Sequence, residues 1–114
     1  MKTTSSRRSI RLADQIQREI GTLLVEDVQD PRLDMVTISG VRMNRDLRIA
    51  EALYTMSGDS EREAEVQSAL EHAAGFLRSK LGRRLKLKFV PELRFARDTF
   101  LEDMVYAHSG PQDS

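Results

Sequence analysis

The chain contains no cysteine and no tryptophan, and its 114 residues include only four phenylalanines and two tyrosines. Without cysteine, neither a disulfide framework nor a thiolate metal site can form, and the composition suits a reducing cytoplasm. No apolar run approaches the ~20 residues that a bilayer-spanning helix needs. Met1 to Arg11 is polar and basic with no apolar stretch behind it, so it does not read as a secretory signal. Only two histidines are present, His72 and His108. Glu71 is adjacent to His72 rather than three or four residues away, so the pair does not face one ligand on a helix. No Ser-His-acid set, carboxylate pair or phosphate-binding loop appears. The expectation is a protein without catalytic residues, metal or cofactor.

A net charge is missing too, since 18 basic side chains balance 18 acidic ones. The distribution is far from even. Residues 49–75 carry one basic and six acidic side chains, whereas residues 76–97 carry eight basic and one acidic. Residues 98–114 carry four acidic side chains and no basic one. A chain polarised in this way can focus a positive field on one surface and still remain soluble.

The length fits a single domain, here expected over 8–106, between a flexible N-terminus (1–7) and a flexible tail (107–114). Ile10, Ala13, Ile16, Ile20, Leu23, Leu24 and Val28 recur at helical spacing and form one apolar stripe. Asp30-Pro31 ends that helix. Val36 to Met43 reads as a strand whose apolar phase changes at Gly40, which predicts a bulge. Asn44-Arg45-Asp46 supplies a turn, and Arg48 to Met56 a second strand with Ala50, Ala52, Tyr54 and Met56 on one face. Ser60-Glu61-Arg62-Glu63 matches a capping box. Val66, Leu70, Ala73, Ala74, Leu77 and Leu81 then keep helical spacing, but Phe76 would point about 100° away from Leu77 on a straight helix. A kink at Ala73-Ala74-Gly75, followed by a second short helix ending near Gly82, would remove that conflict. Leu85, Leu87, Phe89, Leu93 and Phe95 alternate with polar residues, which predicts one long strand with Pro91 at a bulge and with Phe89 and Phe95 in the core. A helical turn over Thr99 to Val105 completes the reading.

The expected architecture is α+β, with helices on one face of a three-stranded mixed sheet in the order α-β-β-α-kink-α-β. This order is that of the type II KH fold, an RNA-binding module. Such modules clamp the nucleic-acid backbone with a GXXG loop, and no GXXG is present. In its place stands Ala73-Ala74-Gly75, and this Ala-x-Gly resembles the ribosome-binding factor A family. The resemblance extends to Asp30-Pro31-Arg32-Leu33, Val36-Thr37-Ile38, Asn44-Arg45-Asp46-Leu47, Ala74-Gly75-Phe76-Leu77-Arg78, Leu81-Gly82-Arg83-Arg84-Leu85 and Val90-Pro91-Glu92-Leu93-Arg94-Phe95. The match runs from about Arg8 to Thr99. The resemblance implies a monomeric cytoplasmic factor that binds 16S rRNA of the immature small (30S) ribosomal subunit, supports its late processing and growth in the cold, and leaves before translation. Whether an assembly GTPase assists is left open. The chain departs from the family at Ile49-Ala50-Glu51-Ala52, where Glu51 replaces a basic residue, and in its short acidic tail.

The candidate RNA-binding residues are Arg78, Lys80, Arg83, Arg84, Lys86 and Lys88, together with Arg45 and Arg48 beside the hairpin turn. Each phosphate they neutralise releases counterions; the alternative is an ordinary solvated face. Ala73, Ala74 and Gly75 either let a nucleic-acid backbone come close to a helix N-terminus or relieve crowding between packed helices. Arg7, Arg8, Arg11 and Arg18 offer an auxiliary contact, diluted by Asp14 and Glu19. With so few aromatics, recognition through backbone and shape is expected rather than base stacking. A reading of a different class is a protein-interaction adaptor whose basic surface meets an acidic protein.

Overall fold

The structure, a computed structural model, describes residues 6–100, 103 and 104. The tail 107–114, with His108, and most of the N-terminal segment 1–7 lie outside the described residues, as does Tyr106. Helix α1 spans Arg7–Leu23, and the Ser6 side chain accepts a hydrogen bond from the Ser9 N–H at its start. Ala13, Ile16, Ile20 and Leu23 form its buried stripe, but Ile10 is half exposed. The chain continues as a wider, π-helical turn over Leu24–Val28 and ends at Gln29 in the left-handed region (φ 49°). Asp30 then caps a short 3₁₀ turn, Pro31–Leu33. Its carboxylate accepts from the Arg32 guanidinium and from the Arg32 N–H, which together hold it below the usual carboxylate range.

Strands β1 (Thr37–Met43) and β2 (Ile49–Thr55) form the expected antiparallel hairpin. The register slips between Ile38 and Gly40, as the change of apolar phase requires. At the slip, the Ser39 hydroxyl donates to the Asp98 carboxylate at 2.7 Å. This bond, followed by one from the Phe100 N–H, lowers the Asp98 pKa. The turn is closed by Asn44, whose side-chain oxygen accepts from the Ile49 N–H at 2.8 Å.

Helix α2 spans Ser60–Arg84, 25 residues without interruption. Two expectations are corrected here. Asp59, not Ser60, caps the helix, accepting from the Arg62 N–H at 2.9 Å. The second short helix expected after Ala73-Ala74-Gly75 is not a separate element, because two alanines favour the helix and one glycine does not end it. Phe76 is exposed, while Leu77 beside it is fully buried. Asp59→Ala is expected to cost about 1 kcal/mol of stability in urea denaturation, whereas Ser60→Ala stays within ~0.5 kcal/mol of the parent.

The long strand expected over residues 85–95 is also corrected. Strand β3 is only Glu92–Arg97, and residues 85–91 form a loop. Lys86 takes a left-handed conformation (φ 54°), and the Leu87 N–H bonds back to the Gly82 carbonyl at 3.0 Å. This is the hydrogen bond of a Schellman helix stop, here built without glycine at the left-handed position. β3 pairs parallel to β2, giving the sheet order β1-β2-β3. Ala50, Ala52, Tyr54, Leu93 and Phe95 turn one face of the sheet into the core, against Ile16, Ile20, Leu23, Val66, Leu70, Leu77 and Leu81 from the helices. Within that layer the Tyr54 hydroxyl donates to the Gln67 side-chain oxygen at 2.7 Å. The Gln67 amide in turn donates to the Phe95 carbonyl at 2.9 Å. Burial raises the Tyr54 pKa, with the Glu63 charge adding to it, which keeps this donor neutral. Beyond β3 the expected helical turn begins, with the Asp103 N–H bonded to the Thr99 carbonyl.

Candidate nucleic-acid interface

The basic stretch does not form one continuous patch. Lys80 pairs with Asp27 at 3.7 Å and Arg84 with Glu19 at 3.3 Å, so two of its cations tie α2 to α1 and its π-helical extension. Arg94 pairs with Glu92 and Arg97 with Glu63. Arg78 has a further role. Its guanidinium donates to the carbonyls of Pro91 (2.9 Å) and Val90 (3.0 Å), clamping the loop before β3 onto α2. A carbonyl satisfies these donors without neutralising the charge. Arg83, Lys86 and Lys88 are exposed and form no ion pair among the described residues.

The fold adds to the basic run three cations that are remote in sequence. A groove of about 930 Å³ opens between the start of α1, the β1–β2 turn and the 85–91 loop. Arg8, Arg45, Arg48, Arg78 and Lys88 line it, opposed among the described residues by Asp46 and Glu92 alone. Arg48 and Asp46 lie 3.8 Å apart with both side chains in solvent, where an ion pair is weak. Leu12, Leu47, Leu87, Val90 and Phe89 give the groove an apolar floor and rim. Thus Arg78 and Lys88 from the basic run meet Arg45, Arg48 and Arg8, whereas Lys80 and Arg84 are turned toward α1. The sequence left open which hairpin strand the last strand joins, and it is the parallel β2–β3 pairing that brings the turn and the loop together.

Phe89, expected in the core, is 81% exposed, with the Lys88 ammonium 5.7 Å from its ring centroid. Ala73 and Ala74 are partly buried against the core. Gly75 is exposed, and a Cβ there would meet nothing within 4 Å. It therefore does not relieve crowding between helices, and the continuous helix offers no N-terminus at this point. Gly82 is the position where crowding matters, since a Cβ there would come within 2.8 Å of the Val90 side chain. Among the described residues no His, Asp and Glu side chains gather into a metal-binding group, and no helix is long and apolar enough to cross a membrane.

Two helices on one face of a three-stranded mixed sheet, with a cationic groove at the end where the hairpin turn meets the loop before the parallel strand, define an α+β domain of the type II KH-like class. The family model for ribosome-binding factor A matches residues 8–109. The chain is 45% identical to ribosome-binding factor A of Nitrosomonas europaea over 95 residues, covering 83% of this chain and 81% of that one. The crystal structure of ribosome-binding factor A from Thermus thermophilus superimposes with a TM-score of 0.68 at 25% identity, covering 78% of this chain and 94% of the other. A homology model of the Thermus factor, fitted into a cryo-electron microscopy map of its 30S complex, gives a TM-score of 0.65 at 24% identity, with 80% and 96% covered. The chain belongs to the ribosome-binding factor A family.

Proposed function

We propose that this chain binds 16S rRNA of the immature small ribosomal subunit in the cytoplasm and assists its late maturation as a non-catalytic assembly factor. The observation that carries the reading is the groove, where five cations from three separate parts of the chain face two carboxylates. Charges converging on one concave surface are the electrostatic footprint of a polyanion site. Family membership supplies the ribosome as context, and the Thermus relative has been fitted into a map of a 30S complex. Arg83 and Lys86, exposed and without carboxylate partners among the described residues, extend the positive field along the end of α2.

Sedimentation of the full chain with small-subunit precursor particles provides the test. Binding is expected to fall steeply with salt, with a log–log slope of about −0.7 for each phosphate neutralised on a single strand. Nuclease digestion of the particles should release the chain. Retention on the residual protein, with a shallow salt dependence, would instead identify an adaptor held by an acidic protein surface.

A further inference from the structure

Resting on the RNA-binding reading above, we propose that Phe89 is a stacking platform for an unpaired base, so that the groove's ligand is a single-stranded RNA segment rather than a duplex. Phe89 carries its ring in solvent at 81% exposure, beside Arg45, Arg48, Arg78 and Lys88 in one groove. A nucleotide has the same two characters, a flat apolar base joined to an anionic phosphate. Aromatic faces and cations together bind single strands with little regard to sequence. In an A-form duplex the base faces are stacked on one another, out of reach of a ring.

The exposure of Phe89 is built into the backbone. On one side of it, the Leu87 N–H is tied to the Gly82 carbonyl and Lys86 reverses the chain. On the other, Arg78 holds the carbonyls of Val90 and Pro91, and Pro91 is fully buried. With both flanks fixed, the ring is presented without a large ordering cost on binding, which is what preorganisation contributes to affinity. Lys88 lies against the ring at 5.7 Å from its centroid. A phosphate neutralised by Lys88 would therefore belong to the nucleotide whose base meets Phe89, or to its neighbour.

The test uses the full chain and fluorescence anisotropy with two probes, an oligoadenylate of about ten nucleotides and an RNA duplex of similar length. Phe89→Ala is expected to bind the single strand about 10-fold more weakly. Its salt slope should equal that of the parent, because no charge is lost. Phe89→Trp should retain the affinity, Phe89→Leu should not, and the duplex should not distinguish the variants. Since Phe89 is outside the core, all three variants should melt with the parent. If the parent binds the oligonucleotide and Phe89→Ala binds it equally well, the stacking role is overturned while the RNA-binding reading stands. If Phe89→Ala loses affinity only for the intact particle, the ring meets a protein and the proposal fails. If the parent binds neither probe nor the RNA of the particle, both readings fall together.

Discussion

Reversing Arg45, Arg48 and Lys88 together to Glu is expected to lower the affinity for small-subunit precursor particles by at least about 100-fold at about 0.1 M salt. A single-strand phosphate contact contributes about 0.7 to the log–log salt slope, close to a factor of five at that concentration. Three lost contacts account for about 100-fold, and the repulsion introduced by three carboxylates adds to it. The salt slope should flatten by about 2 for the same reason. All three side chains are exposed on a turn and a loop, and the one ion pair disturbed among the described residues, Arg48–Asp46, is solvent-exposed. The variant should therefore unfold within ~0.5 kcal/mol of the parent. A folded triple variant that sediments with particles at near-parent affinity would remove the groove from consideration. Reversal of Arg84 is a poorer probe, because it places a second carboxylate beside Glu19. Loss of binding in that variant would mix electrostatics with a disturbed α1–α2 contact.

The largest effect on stability is expected from Leu77→Ala. Leu77 is fully buried between α2 and the sheet, and a Leu→Ala change in such a site costs about 2–5 kcal/mol through lost transfer energy and the cavity left behind. For a domain of this size that is a large share of the ~5–15 kcal/mol normally available. Phe76→Ala, one residue away, should cost no more than about 1 kcal/mol. It forfeits only an exposed ring and the contact with the Lys80 ammonium, 5.5 Å from its centroid. Urea denaturation of the two variants measures the contrast directly. Comparable losses would mean that α2 turns both side chains into the core, as a kinked helix would.

That contrast also shows where the sequence was legible. The hydrophobic period placed α1, the hairpin, its bulge and α2, because each buries one face and the period reports that face. It misled where two structures share a period. Leu85, Leu87 and Phe89 alternate with lysines as a strand would, yet the helix stop at Lys86 turns the segment into a loop. No glycine marks that stop. The conflict at Phe76 suggests a kink, yet the side chain is simply an exposed phenylalanine. Asp59 and Ser60 are both good caps, and composition alone does not choose between neighbours. In the candidate site, the sequence names the cations but not their partners. Glu19 and Asp27, far away in sequence, take up Arg84 and Lys80. Arg45 and Arg48 gain their place only from the pairing of β2 with β3.

The register slip at Ser39 also bears on how the sheet meets other chains. β1 is an outer strand of the sheet, and a row of free backbone donors and acceptors there would invite a second chain to add on. The extra residue breaks the spacing of that row, and the Ser39 hydroxyl is engaged by Asp98. The same irregularity that brings Ile38 and Met43 to the core thus works against cross-chain strand addition at this edge.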